Sequence, residues 1–353
     1  MTNSIVADGV PSRYAVLRMT SLVQLRHPRQ GRAVALVDES QLRLLAGFDS
    51  TYALAESALT RGIGLIAAAH GAVGAGAHTL SYDEVHSGSS EWRLLPAMDH
   101  PVEPARCMVA GTGLTHRQSA ANRNAMHADP TAKPTDSMVM YQWGVDGGRP
   151  AEGQVGASPE WFYKGTGTIL RGHLDPLTVP KFSEDGGEEA EAAGIYLIDA
   201  SGTPRRLGFA AGNEFSDHVF EKKNYLYLAS SKLRECAIGP ELVVDASFER
   251  LPGHVTVRRG DAVLWEKALL TGDAAMCHSL ANMEHHHFKF DAHRRPGDVH
   301  IHFFGAGAFS FGEGVRLEAG DVMEVSFEGL GRPLRNPLAV QEGLETLVTV
   351  SPL

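Results

Sequence analysis

With 42 acidic against 32 basic side chains in 353 residues, the chain carries a net charge of −10, which argues against a phosphate-tracking surface and against nucleic acid as a partner. Its 43% hydrophobic and 21% charged residues are those of a globular protein with room for a small domain beside a larger one. No apolar run approaches the roughly 18 to 20 residues that span a bilayer, and no basic-then-apolar leader opens the chain, so the expectation is a cytoplasmic protein with no membrane partner.

In chain order, residues 1 to 13 read as a loose leader, and Tyr14 to Val37 as two short strands around the turn-rich His27-Pro28-Arg29-Gln30-Gly31. Asp49-Ser50-Thr51 offers caps for a helix over Tyr52 to Thr60, where Ala and Leu dominate. Ala67 to Ala77, rich in Gly and Ala and without a phosphate-loop pattern, reads as a surface loop or weak helix end. The polar, proline-flanked Pro96 to Pro104 predicts a boundary between a small domain over 1–104 and a catalytic domain over 105–353. Beyond it the pattern is α+β and β-rich. Val255 to Val257 and Ala262 to Trp265 form a hairpin about Arg258-Arg259-Gly260-Asp261, and Asp298 to Phe304 and Asp321 to Phe327 read as strands. Asp273 to His287 is the best further helix. Cys107, Cys236 and Cys277 are odd in number and far apart, which predicts reduced, mostly buried thiols.

Three carboxylates stand out. Gly194 to Asp199 is apolar and β-favouring, Ser201-Gly202-Thr203-Pro204 supplies a turn, and Arg206 to Ala211 returns as a second strand. A hairpin centred between Ser201 and Gly202 sets Glu189 opposite Glu214, with Glu191 two residues along on the same face. Like charges so close repel and resist desolvation, so the pattern makes sense with a neutralising cation, and oxygen ligands favour Mg²⁺, with Mn²⁺ as a substitute. The competing reading is a solvated acidic loop followed by an unrelated strand. The histidines, seventeen in all, do not suggest zinc, because His285, His286 and His287 are consecutive and cannot face one ion from a helix. His300 and His302 share a strand face and are expected to pack on or bond to the preceding helix.

Taken in order, several blocks resemble the fumarylacetoacetate hydrolase superfamily. They are Pro159 to Lys164, Glu189-Ala190-Glu191 before an apolar strand, Gly212-Asn213-Glu214, Ser230-Ser231-Lys232 running to Ile238-Gly239-Pro240, and Arg295-Pro296-Gly297-Asp298 with Gly305-Ala306-Gly307. The resemblance covers about residues 105 to 340 and is closest to a bacterial sugar-acid subgroup resembling 2-keto-3-deoxy-pentonate dehydratases. It implies a mixed β-roll catalytic domain, a Mg²⁺ or Mn²⁺ site at Glu189, Glu191 and Glu214, homodimers, and 2-oxo acid substrates. The chain departs from the family pattern at Glu214, where Asp is usual, and at Gly305-Ala306-Gly307, where the family has Thr-Gly-Thr.

On this resemblance Lys164 is the expected base, since a lysine beside a divalent cation in a partly dry pocket can lose its proton near neutrality. His116 is the expected acid for a departing C4 hydroxyl. Lys232 is expected at the substrate carboxylate or beside the metal, Asp217 with His218 around the ligands, and Ser310 in place of the missing hydroxyls. The expected reaction is dehydration of a 2-keto-3-deoxy pentonate to 2-oxoglutarate semialdehyde in non-phosphorylative sugar breakdown. The alternatives are hydrolysis of a 2,4-diketo acid to pyruvate and a smaller acid, and a sugar-acid-binding protein without turnover. Ser119, standing where a hydrolytic glutamate is expected, leans toward dehydration.

Overall fold

The structure is a computed structural model that describes residues 19–74, 76–117, 120 and 135–353, so the leader at 1 to 13 and Ser119 lie outside the described residues. Alternating apolar side chains build the first strands, β1 (Ser21–His27), β2 (Gly31–Asp38), β3 (Gln41–Leu44), β4 (Thr79–Ser81) and β5 (Arg93–Leu94). β1 and β2 meet about the predicted turn, where Gly31 takes φ 78°, a left-handed conformation that suits glycine. Ser50 caps the predicted helix, Thr51–Arg61, by accepting from the Ala53 amide. Of the two readings of Ala67 to Ala77, the helix end holds for its first part: Leu65–Ala72 is a helix, because alanine favours helix and Ala68 and Ala69 pack onto the core.

The remaining strands are β6 (Cys107–Gly113), β7 (Glu160–Thr166), β8 (Leu170–Arg171), β9 (Leu177–Val179), β10 (Ala190–Ile198), β11 (Pro204–Asn213), β12 (Cys236–Ile238) and β13 (Leu242–Val243). They are followed by β14 (Leu251–Arg259), β15 (Ala262–Thr271), β16 (Val299–Phe303), β17 (Val322–Phe327) and β18 (Leu334–Val340). A large mixed sheet runs β4-β3-β2-β1-β13-β11-β10-β16-β6-β7, with β5, β8 and β12 attached beside it, and a second sheet runs β15-β14-β17-β18-β9. β1 pairs with β13, so the first hundred residues extend the large sheet rather than forming one of their own. The helix expected over Asp273 to His287 is shorter, Leu280–Phe288, because the Ser279 side chain caps Asn282 and starts it there.

The β10–β11 hairpin lies between two cores. On one face Ala193, Ile195 and Leu197 pack with Ile301, Phe303 and Val109 and with Leu22 and Leu54 from the first hundred residues. On the other, Ala192, Tyr196 and Phe209 meet Val255, Val257 and Val325 of the second sheet. Burial on both faces holds the hairpin and the acids at its open end in register. Cys107 and Cys236 are buried free thiols and Cys277 is half-buried. Among the described residues no helix is long and apolar enough to cross a membrane.

Candidate metal centre

The site grows from the hairpin register. Ala190 pairs with Asn213, Glu191 with Gly212 and Ile195 with Gly208, the centre the sequence predicts, before a bulge between Ile195 and Tyr196 shifts the last pairs toward the turn. The Glu214 amide donates to the Glu189 carbonyl at 3.0 Å, so the two acids face each other as expected. Asn213 Oδ1 accepts from the amides of Glu189 and Phe215, both at 3.2 Å, and ties the strand ends together. Gly212, opposite Glu191, has no room for a side chain: a Cβ there would lie 2.5 Å from the Phe303 ring. Glu189, Glu191 and Glu214 are all buried, and one carboxylate oxygen from each lies within 4.8 Å of the others.

Two buried lysines share these carboxylates. Lys232 Nζ donates to Glu189 at 2.9 Å, Glu214 at 2.6 Å and Ser216 Oγ at 2.9 Å, and lies 3.2 Å from Glu221 and 4.9 Å above the Phe162 ring. Lys164 Nζ approaches the other Glu214 oxygen at 2.6 Å and donates to the carbonyls of Phe215 and Lys232. The Gly305 amide donates to Glu191 at 2.7 Å, and His218 Nε2 donates to Glu189 at 3.0 Å.

These contacts do not neutralise the acids evenly. Burial, then the neighbouring charges of Glu214 and Glu189, push Glu191 well above the usual carboxylate range. Burial outweighs both lysines at Glu214 and pushes it up to about 7. At Glu189 burial acts the same way, but Lys232, Glu214 and His218 together hold it well below the ordinary value. Burial opposes the charge on Lys232, yet Glu189, Glu214 and Glu221 raise it well above the usual amine range. The site therefore holds more carboxylate than its own cations satisfy. An all-oxygen set converging on one point fits a hard divalent ion such as Mg²⁺.

Glu189, Glu191 and Lys232 line a small cavity of about 30 Å³, walled by Gly113, Phe162, Glu221, Gly305, Ala306 and Phe309. Lys164, His116, Asp217 and Ser310 do not line it. Lys164, expected as the base, is fully buried against Glu214. His116, expected as the acid, bonds through Nδ1 to Thr115 Oγ1 at 2.9 Å and through Nε2 to Thr271 Oγ1 at 3.0 Å, and burial lowers its pKa to about 4. Asp217 caps helix His218–Lys223 and accepts from the amides of Glu184 and Asp185. Ser310 donates through both its amide and hydroxyl to Glu188. Glu221, Phe162 and Phe309 were not anticipated from the sequence. Alternation along β7, which turns Phe162 and Lys164 to one side, was the available signal for Phe162.

Neither a family model nor a curated protein sequence matches the chain. Solved structures do match. A hexagonal crystal form of 2-keto-3-deoxyarabinonate dehydratase superposes with TM-score 0.66 at 19% identity, covering 92% of this chain and 100% of that one. 2-Keto-3-deoxy-D-arabinonate dehydratase complexed with magnesium and 2,5-dioxopentanoate gives 0.66 at 18% identity with the same coverage. 2-Hydroxyhepta-2,4-diene-1,7-dioate isomerase from Mycobacterium marinum gives 0.55 at 17% identity, again covering 92% and 100%. At these identities the likeness is one of fold, shared with the dehydratase and isomerase structures, as the resemblance of the ordered motifs leads one to expect. The shared fold covers 92% of this chain, and one of the dehydratase structures was solved with magnesium.

Proposed function

We propose that the protein is a cytoplasmic, homodimeric, divalent-metal-dependent lyase that dehydrates a 2-keto-3-deoxy sugar acid, a pentonate, to 2-oxoglutarate semialdehyde. The observation that carries this reading is the convergence of Glu189, Glu191 and Glu214, the first two of which line a small cavity. Support comes from the fold shared with a dehydratase solved with magnesium and 2,5-dioxopentanoate, which is 2-oxoglutarate semialdehyde under another name.

The three glutamates would hold Mg²⁺, with Mn²⁺ as a substitute. Bound there, the ion would polarise the ketone of a 2-oxo acid and acidify its C3 protons. The remaining chemistry falls to the protein. Lys232, rather than Lys164, is the amine on the cavity wall. With Glu189 and Glu214 engaged by the ion, Lys232 would lose countercharge and hold its proton less tightly, and its neutral amine would be the base for C3. The ammonium so formed donates to the departing C4 hydroxyl, with Glu221 as its partner at 3.2 Å. Loss of a C5 proton and gain of one at C3 move the remaining double bond from C3 and C4 to C4 and C5, and the resulting enol takes a proton at C4 as its C5 hydroxyl releases one, giving the aldehyde. Lys164 fixes Glu214 from behind, while Asp217 and Ser310 shape the surrounding backbone. Phe162 and Phe309 keep water from the reacting carbons.

The test is a coupled assay for the semialdehyde with racemic 2-keto-3-deoxy pentonate, before and after EDTA and after Mg²⁺ is restored. The proposal expects signal that EDTA abolishes and Mg²⁺ recovers. Silence with metal present, together with pyruvate release from a 2,4-diketo acid, would move the protein to the hydrolases. Silence with both substrates would favour a binding role. Sedimentation of the intact protein checks the dimer.

A further inference from the structure

Glu188 stands directly before the acidic triad and is absent from the chemistry above. It is fully buried, and alternation turns it away from Glu189 and Glu191. Among the described residues both hydrogen bonds to its carboxylate come from one partner, Ser310: the amide at 2.6 Å on one oxygen and the hydroxyl at 3.0 Å on the other. A buried carboxylate without these donors would be costly, so the pairing fixes Ser310 in both position and orientation.

Ser310 closes a segment that touches the site repeatedly. Gly305, Ala306 and Phe309 wall the cavity, and the Gly305 amide holds Glu191. Phe309 and Phe311 both stack on His218, at 5.0 and 5.2 Å between ring centres, and His218 in turn holds Glu189. At its far end the segment is anchored by Glu188 alone among the acids named here. The residues this segment gives to the cavity, Gly305, Ala306 and Phe309, have no hydroxyl to grip a substrate, so the wall acts through shape and backbone.

We propose that Glu188 is a positioning residue that clamps residues 305–311 as the fixed wall of the cavity and sets how tightly Phe309 closes on the substrate. The role rests on the reading of this cavity as the substrate site. It acts through Ser310 and not through the metal. Loosening the clamp should therefore weaken substrate binding before it weakens the ion's hold.

The experiment compares Glu188→Ala, Glu188→Gln and Ser310→Ala in the full chain by amide hydrogen exchange over 305–311, by Mn²⁺ affinity and by steady-state kinetics. Glutamine retains an acceptor for the amide and a polar partner for the hydroxyl. The expected result is exchange at least tenfold faster over 305–311 in Glu188→Ala, a tenfold rise in KM with kcat within threefold, Mn²⁺ affinity unchanged, and recovery in Glu188→Gln. Ser310→Ala, which keeps the amide bond, should give a smaller change in the same direction and serves if Glu188→Ala does not fold. Unchanged exchange in Glu188→Ala, or in Ser310→Ala where that variant stands in, would overturn the proposal. Joint loss of kcat and Mn²⁺ affinity, or a glutamine variant as impaired as the alanine, would overturn it too. Exchange is read without turnover, so the clamp stands or falls separately if the wild-type protein proves inactive on every 2-oxo acid.

Discussion

Lys164 and Lys232 both reach Glu214, yet only Lys232 lies on the cavity wall. The resemblance made Lys164 the expected base, while alternation shows that its side chain shares a face with Phe162 but not how deep that face lies. The depth comes from Phe215, which at φ 23° bends the chain directly after Glu214 and brings its carbonyl onto Lys164 Nζ. The two lysines should therefore fail differently. Lys164→Met leaves a buried carboxylate short of a partner and should cost about 3–5 kcal/mol of stability, read by urea unfolding. Lys232→Met should lower kcat by about 100- to 10,000-fold. Its stability deficit should be relieved by Mg²⁺, since the ion supplies the countercharge the lysine gave up. Equal stability losses with no response to Mg²⁺ would contradict this division of roles.

At the level of elements, the β10–β11 hairpin was legible because its two signals agreed: a strong turn at Ser201 to Pro204 and two β-favouring flanks whose centre sets the partners. The bulge between Ile195 and Tyr196 was not legible, yet it falls on the turn side of the triad and leaves the pairing of Glu191 with Gly212 intact. The helix Leu65–Ala72 and the short helices His218–Lys223 and Leu228–Lys232 escaped for another reason. Their sequences are too short or too rich in glycine and alanine to show periodicity, and packing decides them. Close packing also makes the hairpin sensitive to added volume. Gly212→Ala should destabilise the protein by about 1–3 kcal/mol, because its Cβ meets the Phe303 ring and β10 and β16 leave it nowhere to go. Thermal unfolding of that variant at the wild-type midpoint would count against the register argument.

Across the whole molecule, the first hundred residues join the large sheet through β1 and β13 and contribute to one core with the rest, while Val23, Leu25, Tyr82 and Trp92 pack in a cluster of their own. The histidines likewise belong to the packing of the body. His287 accepts from Trp161 Nε1 at 3.1 Å and bonds to His300 at 2.9 Å, joining helix Leu280–Phe288 to β16, while His302 bonds to Thr112 on β6. Burial lowers His300 and His302 to about 3, so they are neutral in the fold and charge first in the unfolded chain. Their contribution is complete above the unfolded value near 6.5 and is lost as pH falls from there toward 3. Replacing His302 with Gln should flatten the fall in stability over that window by about 1.4 kcal/mol per pH unit, read from urea midpoints. An unchanged slope would mean that His302 is not buried neutral.

The account turns on whether Glu189, Glu191 and Glu214 hold one divalent ion. Calorimetric titration of the EDTA-stripped protein with Mn²⁺, set against Glu191→Gln, tests this most directly, since among the described residues Glu191 accepts a hydrogen bond from the Gly305 amide and none from a lysine. The account predicts one ion per chain and at least a tenfold loss of affinity in the variant. Equal binding by the two proteins, or none by the wild type, would contradict it.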